Sequence, residues 1–355
     1  MKRFLKIFMA FLLLVVIAFG AFLGFLTVTE YKPADVEALE LRTLNKDAAP
    51  VPAEDLTVLS WNIGYAGLGA ASDFFMDGGT HSRSADRDAV GRYLDGIASY
   101  LSDGAAPDLI LLQEVDTDAA RTYGIDETTA LIRNTGVFAM NYSCPFVPLP
   151  LPPQTPMGKV HAGLFTTTDF AVSEAERIAL PCPFSWPLST AHLKRCLLVS
   201  RLPVEGSDRE LVLVNLHLEA YDDGEGKAAQ TRQLIGLLQE EYEKGNFVIA
   251  GGDFNQAFPG SLEVYPNNHP DLWEIPRLEE DSLPEGFRYV FDTDTPSCRL
   301  LNQPYDPADL ENTQYYTIDG FIVSPNVTID TAETLDFSFE NSDHNPVLIK
   351  VDLLL

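Results

Sequence analysis

The segment Phe247–Asn255 constrains the fold most, because a short apolar run is followed directly by glycines and then by polar residues. The run Phe247–Ala250, bounded by Gly-Asn and Gly-Gly, predicts a strand that is buried on both faces. Asp253 and Asn255 would point the same way if strand geometry continued, since side chains alternate along a strand. An acid and an amide there suit an oxygen-ligated cation, although Gly, Asp and Asn also favour ordinary turns.

Other apolar runs meet polar residues in the same way. The pattern predicts core strands at residues 56–62, 107–114, 211–218, 317–323 and 347–353. The side chains at or next to the ends of these strands are Asn62, Glu114, His217, Asp319, Asp343 and His344. Carboxylates, amides and imidazoles without a Lys, Cys or Ser nucleophile favour Mg²⁺, Mn²⁺ or Ca²⁺ and metal-assisted attack of water on phosphorus.

The segments between these strands alternate between helical periodicity and loop composition. The pattern predicts helices at Asp86–Ser102, Asp126–Thr135 and Gly226–Lys244, and further strands at 161–166 and 196–200. Pro259–Asn312 is acidic and irregular, which predicts a long insertion. Strands and helices therefore mix along the chain, and we expect an α/β (α+β) domain.

Two proline-rich loops, Pro145–Pro156 and Pro181–Pro187, carry large apolar side chains. If these loops were exposed, Phe146, Phe184 and Trp186 would form a hydrophobic rim. The alternative, which we favour, is that the loops pack against the flank of their own domain.

The N-terminus carries a membrane signal. Ile7–Val28 is a run of 22 residues without charge, and Lys2, Arg3 and Lys6 precede it. Such a run is long enough to span a bilayer, and the basic flank predicts that the N-terminus is inside and the remainder outside. A cleaved signal peptide is the alternative, but we favour an uncleaved single-pass anchor in the cell membrane. We therefore expect an anchor at 1–29, a proline-containing linker at 30–55 and one catalytic domain at 56–355.

The charge balance is strongly acidic, with 24 Lys and Arg against 52 Asp and Glu. A field of this sign repels polyanions, so a nucleic-acid partner is disfavoured, whereas a small phosphorylated substrate held through a cation is compatible with it. The four cysteines form no Cys-x-x-Cys pair, which disfavours a zinc knuckle and leaves disulfides or buried free thiols as alternatives. They are Cys144, Cys182, Cys196 and Cys298.

Six short motifs carry a family resemblance. In chain order they read SWN, LQE, NLHL, GGDFN, IDGF and SDHNP. This ordered set resembles the endonuclease/exonuclease/phosphatase (DNase I-like) superfamily, which includes DNase I-like nucleases, neutral sphingomyelinases and inositol-polyphosphate 5-phosphatases. The resemblance covers about residues 56–355 and suggests a membrane-anchored, bacterial-type member. It implies a four-layer β-sandwich of two mixed sheets flanked by helices, with the site at one edge.

The resemblance also implies a metal site. Glu114 resembles the family's main metal ligand, with Asn62 beside it and Asp343 as a further carboxylate on the metal side. The implied cation is Mg²⁺, with Mn²⁺ or Ca²⁺ as alternatives. Asp253 and Asn255 resemble the pair that binds the phosphate, positions the attacking water or holds a second metal.

Two histidines complete the implied catalytic set. His344 resembles the general base, or an imidazole that contacts the phosphate, and Asp319 would orient it. His217 resembles the histidine that stabilises or protonates the leaving oxygen. Whether Asp253 or His344 activates water stays open at this stage.

The sequence departs from the nucleases of the family. Gly64 stands where some repair nucleases have an acid, and a basic DNA-binding surface is absent. The segment His217–Tyr221, followed by Gln230, Arg232 and Gln233, looks more like the sphingomyelinase-type branch. We therefore expect a Mg²⁺-dependent phosphodiesterase that acts on a lipid head group or a small phosphodiester. The alternatives are an extracellular nuclease, a phosphomonoesterase of the inositol-phosphatase kind, and a surface protein that only binds.

Overall fold

The computed structural model describes residues 2–45, 47–102, 107–222, 224–309 and 312–355. Its helices are α1 (Lys2–Val28), α2 (Arg87–Ser102), α3 (Glu127–Leu131), α4 (Glu225–Glu243) and α5 (Ser261–Val264). By length and composition, α1 could cross a membrane over Arg3–Val28.

The strands build two large sheets. In chain order they are β1 (Val36–Ala38), β2 (Leu41–Thr43), β3 (Leu56–Asn62), β4 (Leu109–Asp116), β5 (Thr135–Val147), β6 (Gly158–Thr168), β7 (Glu174–Ala179), β8 (Cys196–Pro203), β9 (Glu210–His217), β10 (Phe247–Asp253), β11 (Arg288–Val290), β12 (Cys298–Arg299), β13 (Tyr315–Tyr316), β14 (Asp319–Val323), β15 (Val327–Thr334) and β16 (Val347–Leu353). One seven-stranded sheet has the order β1-β7-β8-β9-β10-β14-β11, and the other has the order β15-β16-β3-β4-β6-β5-β2.

Both sheets are mixed, because each contains one parallel pair among antiparallel neighbours. The parallel pairs are β9 with β10 and β3 with β4. Apolar residues of both sheets form a shared core that includes Leu111, Ile249 and Phe321. The helix α2 packs on the outer face of one sheet, and α4 packs on the outer face of the other. The predicted four-layer sandwich of two mixed sheets flanked by helices is therefore confirmed.

A buried amide pair joins the two sheets in the middle of the sandwich. The Gln113 Nε2 atom of β4 donates a hydrogen bond to the Asn215 Oδ1 atom of β9, at 2.8 Å. Asn215 Nδ2 donates in turn to the carbonyl oxygens of Leu112 and Phe165. Both amides are fully buried, so each unmade hydrogen bond would cost stability and the bonds favour one alignment of the sheets.

Residues 30–55 differ from the predicted linker. The strand β1 pairs with β7, and β2 pairs with β5, so this segment adds an edge strand to each sheet. Val51 is fully buried in the core between the sheets. The prolines that suggested a tether lie outside these strands, where they do not interrupt the ladder.

Two further segments also differ from the sequence prediction. The short helix predicted at Asp126–Thr135 ends at Leu131, and Thr135 already begins the long strand β5. The insertion Pro259–Asn312 contains α5, β11 and β12, and β12 pairs with β13 outside the large sheets. These elements are too short for hydrophobic periodicity to reveal them.

The glycine pair after the central strand β10 is required by close packing. A Cβ atom on Gly251 would lie 2.4 Å from the Phe321 ring, and one on Gly252 would lie 1.9 Å from the Leu216 carbonyl oxygen. Neither neighbour can move easily, because Leu216 and Phe321 are fully buried. The two glycines therefore let β10 pack tightly where it approaches the edge that holds the polar side chains.

We expect Gly251→Ala to lower the free energy of unfolding by about 1–3 kcal/mol, because the added methyl overpacks the core against Phe321. Gly236→Ala is the matched control: it lies in α4 and its Cβ would meet nothing within 4 Å, so it should raise stability by about 0.5–1 kcal/mol. Urea unfolding of both variants measures the difference. Equal stability of the two variants would contradict the close packing described here.

Candidate functional site

The topology brings the polar strand ends to one edge of the sandwich. In the first sheet, Asp253 at the end of β10 lies beside His217 at the end of β9 and Asp319 at the start of β14. In the second sheet, Asn62 at the end of β3 pairs in register with Gln113 of the adjacent β4. Because β16 runs antiparallel to β3, the residues just before β16 arrive at the same edge. These residues are Asp343 and His344.

Glu114 reaches this edge through a bulge. The register of β4 against β6 shifts between Leu112 and Val115, and Glu114 has φ +55°. A non-glycine residue rarely adopts the left-handed backbone conformation, and residues that do so are concentrated at functional sites. Bulges re-aim side chains next to active sites. The bulge therefore directs Glu114 towards the pocket, where it contributes to the lining.

Asn62 connects the two sheets at the site. Its Nδ2 atom donates to Glu114 Oε1 at 3.2 Å and to Asp253 Oδ2 at 3.1 Å. Its Oδ1 atom accepts a hydrogen bond from the Gly64 backbone N–H at 3.0 Å. The amide oxygen, which a cation would need, is thus engaged by the backbone, and the amino group faces the carboxylates.

Asp253 is the central carboxylate. It is 1% exposed, and its Oδ1 accepts from the Asn255 backbone N–H at 2.8 Å. Burial, together with the neighbouring Asp319 carboxylate, raises the pKa of Asp253 to about 7, although His344 acts in the opposite direction. A further positive charge nearby would lower this pKa and keep Asp253 ionised at neutral pH.

Asn255 does not continue the strand alternation on which its prediction rests. The strand β10 ends at Asp253, and Asn255 has φ +50°. Its Nδ2 donates to the Leu218 carbonyl oxygen at 2.9 Å, which holds the amide against the end of β9. The side chain still lines the same pocket as Asp253.

Asp319 and His344 form a closely hydrogen-bonded pair. The His344 Nδ1 atom lies 2.8 Å from Asp319 Oδ2, which also accepts from the Ser297 hydroxyl at 2.7 Å. Burial alone would lower the pKa of His344, but Asp319 and further acidic neighbours raise it well above its usual value. The other nitrogen, Nε2, lies 4.0 Å from Asp253 Oδ2 and 3.8 Å from Asp343 Oδ2. The pair thus presents one oriented nitrogen to the centre of the site.

His217 lies on the other side of Asp253. Its Nε2 atom is 3.4 Å from Asp253 Oδ2. Burial lowers the pKa of His217 well below its usual value, and the charges of Arg195 and His344 act in the same direction. His217 is therefore neutral, so its contact with Asp253 is not an ion pair. The two histidines of the site thus differ in charge state.

The donor set fits a hard divalent cation. Glu114, Asp253 and Asp343 converge, and within the described residues no Lys or Arg makes a salt bridge with any of them. Burial raises the pKa of Asp343 to about 6, and the Glu114 charge acts in the same direction. Asp253, Asp319 and His344 offer ligand atoms within 4.8 Å of one another, as do Cys298, Asp343 and His344. Carboxylate oxygens in this arrangement are typical ligands of Mg²⁺, Mn²⁺ or Ca²⁺.

The predicted residues do not all reach the pocket surface. Of the eight, six line a cavity of about 470 Å³: Glu114, His217, Asp253, Asn255, Asp343 and His344. Asn62 and Asp319 lie behind them and contact them through hydrogen bonds. The roles assigned to the eight residues stay predictions, whereas their assembly at one edge is an observation.

Several residues near the site had no usable sequence signal. Ser297 and Cys298 lie in the irregular insertion. The Ser297 hydroxyl nevertheless donates a hydrogen bond to Asp319, and the backbone of Cys298 forms an isolated antiparallel β-bridge with that of His344. Tyr221 donates its hydroxyl hydrogen to Asp77 Oδ1 at 3.0 Å across the pocket wall. Only a fold template could have placed these positions together, because they come from separate loops.

Other sequence features find structural explanations. Arg195 pairs with Glu219 through its Nε atom at 3.2 Å and donates to the His217 carbonyl oxygen at 3.1 Å. Gln230 accepts a hydrogen bond from the Glu219 backbone N–H. Gly64 has φ +50°, and a Cβ there would lie 2.7 Å from Asp343 Oδ1. A side chain at position 64 would therefore collide with Asp343.

Comparison with solved structures identifies the fold. An endonuclease/exonuclease/phosphatase from Beutenbergia cavernae DSM 12333 is 17% identical with TM-score 0.53, covering 84% of this chain and 72% of its own. The human Nocturnin catalytic domain with bound sulfate is 20% identical with TM-score 0.50, covering 89% and 97%. ANGEL2, a 2′,3′-cyclic phosphatase, is 16% identical with TM-score 0.52, covering 90% and 99%.

These similarities concern the fold. No family model matches the sequence, and a search of curated proteins finds no match. The chain has the DNase I-like fold of the endonuclease/exonuclease/phosphatase proteins, as the six sequence motifs predict.

We expect Mg²⁺ or Mn²⁺ to raise the melting temperature of the full-length protein, because the ion binds the folded carboxylates and stabilises by about 2.7 kcal/mol at 100 times its Kd. Glu114→Gln should lose most of this shift. Without metal the variant should be as stable as the wild type or more stable, because it removes one charge from a repulsive cluster and keeps the acceptor for Asn62.

Thermal unfolding with added metal and with EDTA measures both effects. Glu340→Gln, an exposed position in the described chain, is the control and should retain the metal shift. A full shift in Glu114→Gln would show that the cation does not use this carboxylate.

Proposed function

We propose that this chain is a divalent-metal-dependent hydrolase of phosphoric esters and that it cleaves a phosphodiester on a lipid head group or on another small molecule. The observation that carries the proposal is the convergence of Glu114, Asp253 and Asp343, which make no salt bridge to Lys or Arg within the described residues, beside the oriented Asp319–His344 pair. ANGEL2, a 2′,3′-cyclic phosphatase with a similar fold, supports phosphoester chemistry on this scaffold.

The proposed site holds the phosphoryl group between the two sheets. Glu114 and Asp343 would hold the cation, with Asp253 close to it. When bound, a divalent cation supplies charge to polarise the phosphoryl oxygens and to neutralise charge that develops in the transition state. The Asn62 amino group and the Asn255 amide would hold Asp253 and the phosphate in place.

Proton transfer falls to residues that face the same centre. Asp253 would receive the proton of the attacking water, or His344 would do so once a bound cation had lowered its pKa, and Asp319 fixes Nε2 as the His344 nitrogen that faces the site. His217 contacts Asp253 from the opposite side and would donate a hydrogen bond to the leaving oxygen. No covalent nucleophile is needed, because water attacks phosphorus directly.

The acidic balance of 24 basic against 52 acidic residues supports a small or lipid-borne phosphodiester over nucleic acid. An extracellular nuclease on the same scaffold is the alternative, and digestion of plasmid DNA at low salt distinguishes it. We propose one change to the domain division expected from the sequence: residues 30–55 belong with the domain at 56–355, because β1 and β2 within them pair with its sheets.

We expect the full-length protein in nanodiscs to hydrolyse bis-p-nitrophenyl phosphate with Mg²⁺ and to lose this activity in EDTA. His344→Ala and Asp319→Asn should each reduce kcat by about 10²–10⁴-fold, because an oriented proton acceptor is lost. A panel of phospholipids, sphingomyelin, inositol phosphates, DNA and RNA then ranks the substrates. Activity that survives chelation, or that is equal in His344→Ala, would refute the proposal.

We further propose that α1 anchors the protein in the cell membrane with the catalytic domain on the extracytoplasmic side, because three basic residues precede its apolar run. In a Cys182→Ser background, Glu240→Cys on an exposed face of α4 should react with a membrane-impermeant maleimide in intact cells. Lys6→Cys should react only after lysis. The reverse pattern would invert the proposed orientation.

A further inference from the structure

The pocket that contains the candidate site extends to the membrane helix. Besides the catalytic residues, its wall includes four residues from the last turns of α1: Phe19, Phe22, Leu23 and Leu26. The cavity of about 470 Å³ lies within the usual range for small-molecule sites. One wall of a phosphate-binding pocket is therefore made of the hydrocarbon side chains of the anchor.

Specific contacts hold α1 in this position. Leu26 is 4% exposed and belongs to a core cluster with Tyr65, Tyr142 and Met157. The Phe22 ring packs edge-on against Phe146 at a centroid distance of 6.4 Å. The end of the helix is thus part of the domain, not a free stalk.

Polar contacts in the last turn of α1 and just after it hold the end of the helix against the domain. The Trp186 indole N–H donates to the Thr27 hydroxyl oxygen at 3.0 Å. Glu30 forms a salt bridge with Lys194 at 2.9 Å. Both partners come from the segment that contains the second proline-rich loop, so this loop lies where α1 leaves the membrane.

The proline-rich loops are exposed around this exit, contrary to the flank packing favoured from the sequence. Their apolar rim comprises Phe146, Leu149, Leu151, Trp186 and the adjoining Leu188, which are between 41% and 66% exposed, whereas Phe184 is half-buried against His192. Residues 145–156 and 181–191 contain no charged side chain, in a chain with 52 acidic residues.

A bilayer surface is the occupant that this rim fits. It continues the apolar surface of α1, and the indole of Trp186 is typical of the membrane–water interface. A rim of this kind in contact with water would be costly. The absence of charge in the two loops removes the repulsion that the remaining acidic surface would have for a membrane of the same sign.

We propose that the pocket binds a phosphodiester that carries a hydrocarbon chain, drawn directly from the leaflet around α1. The phosphoryl group lies at Asp253 and His344, and the first methylenes of the chain lie against Phe19, Phe22 and Leu23. This inference rests on the phosphoester hydrolysis proposed above and adds the substrate class: a membrane lipid or lipid-like ester.

The test uses a series of p-nitrophenyl alkyl phosphodiesters with ethyl, butyl, hexyl and octyl chains. In the wild-type full-length protein in nanodiscs, kcat/KM should rise about fourfold per added methylene until the apolar wall is covered. Partitioning of longer esters into the bilayer also raises the apparent rate, so the decisive comparison is between variants in the same nanodiscs.

Phe22→Ala/Leu23→Ala should lower kcat/KM about tenfold for the octyl ester and leave the ethyl ester within about twofold, because apolar contact is lost only for the chain. Phe11→Ala/Leu12→Ala is the matched control. It changes the same two residue types in the same helix, does not line the pocket, and should retain the wild-type dependence on chain length.

Phe19→Ala is a second wall variant that distinguishes a loss of contact with the chain from a folding defect. Phe19 is 61% exposed, so its truncation should leave the docked end of α1 intact. It should also lower the octyl rate selectively. Equal losses on ethyl and octyl esters in both wall variants, or a chain-length dependence that neither variant changes, would overturn the inference while the proposed hydrolysis stands. If the wild type cleaves none of the esters, the proposed function itself fails and the inference falls with it.

Discussion

The alignment of the two sheets is the constraint on which the site depends. Neither sheet alone contains all the side chains of the candidate site, because one supplies Asn62 and Glu114 and the other supplies His217, Asp253 and Asp319. The buried hydrogen bond from Gln113 to Asn215 disfavours any other alignment, since a shift would break the bonds that join Asn215 to Gln113, Leu112 and Phe165 of the other sheet. This buried hydrogen bond between the sheets lies one residue before Glu114 and two before His217, and it thus positions the groups at the edge.

The convergence of acidic groups lowers the stability of the folded chain, and packing elsewhere in the domain offsets this loss. Burial raises the pKa values of Asp253 and Asp343, so their ionised forms destabilise the folded chain until a cation binds. The tight β10 backbone and the shared apolar core offset this cost. Stability and the affinity for a cation would therefore be linked in this protein, because a bound ion would relieve the repulsion that weakens the metal-free state.

The sequence was informative wherever a buried strand stops at a polar residue. This rule located Asp253, His217 and Asp319, because chain position and spatial position coincide at the end of a strand. It could not anticipate the bulge that turns Glu114 or the left-handed backbone at Asn255, because such conformations leave no periodic pattern. Ser297 and the edge strands within 30–55 were missed because their partners are distant in sequence, and short elements are set by tertiary pairing.

The burial of Leu26 has a mechanical consequence. Because this residue shares a core cluster with Tyr65, α1 cannot tilt relative to the domain without disturbing Tyr65, which directly follows Gly64 in the chain. Single-span proteins usually adapt to thicker or thinner bilayers by changing helix tilt. In a bilayer, such an adjustment would have to rotate the whole protein or deform the surrounding lipid, so hydrophobic mismatch would act on the same backbone that supports the candidate site.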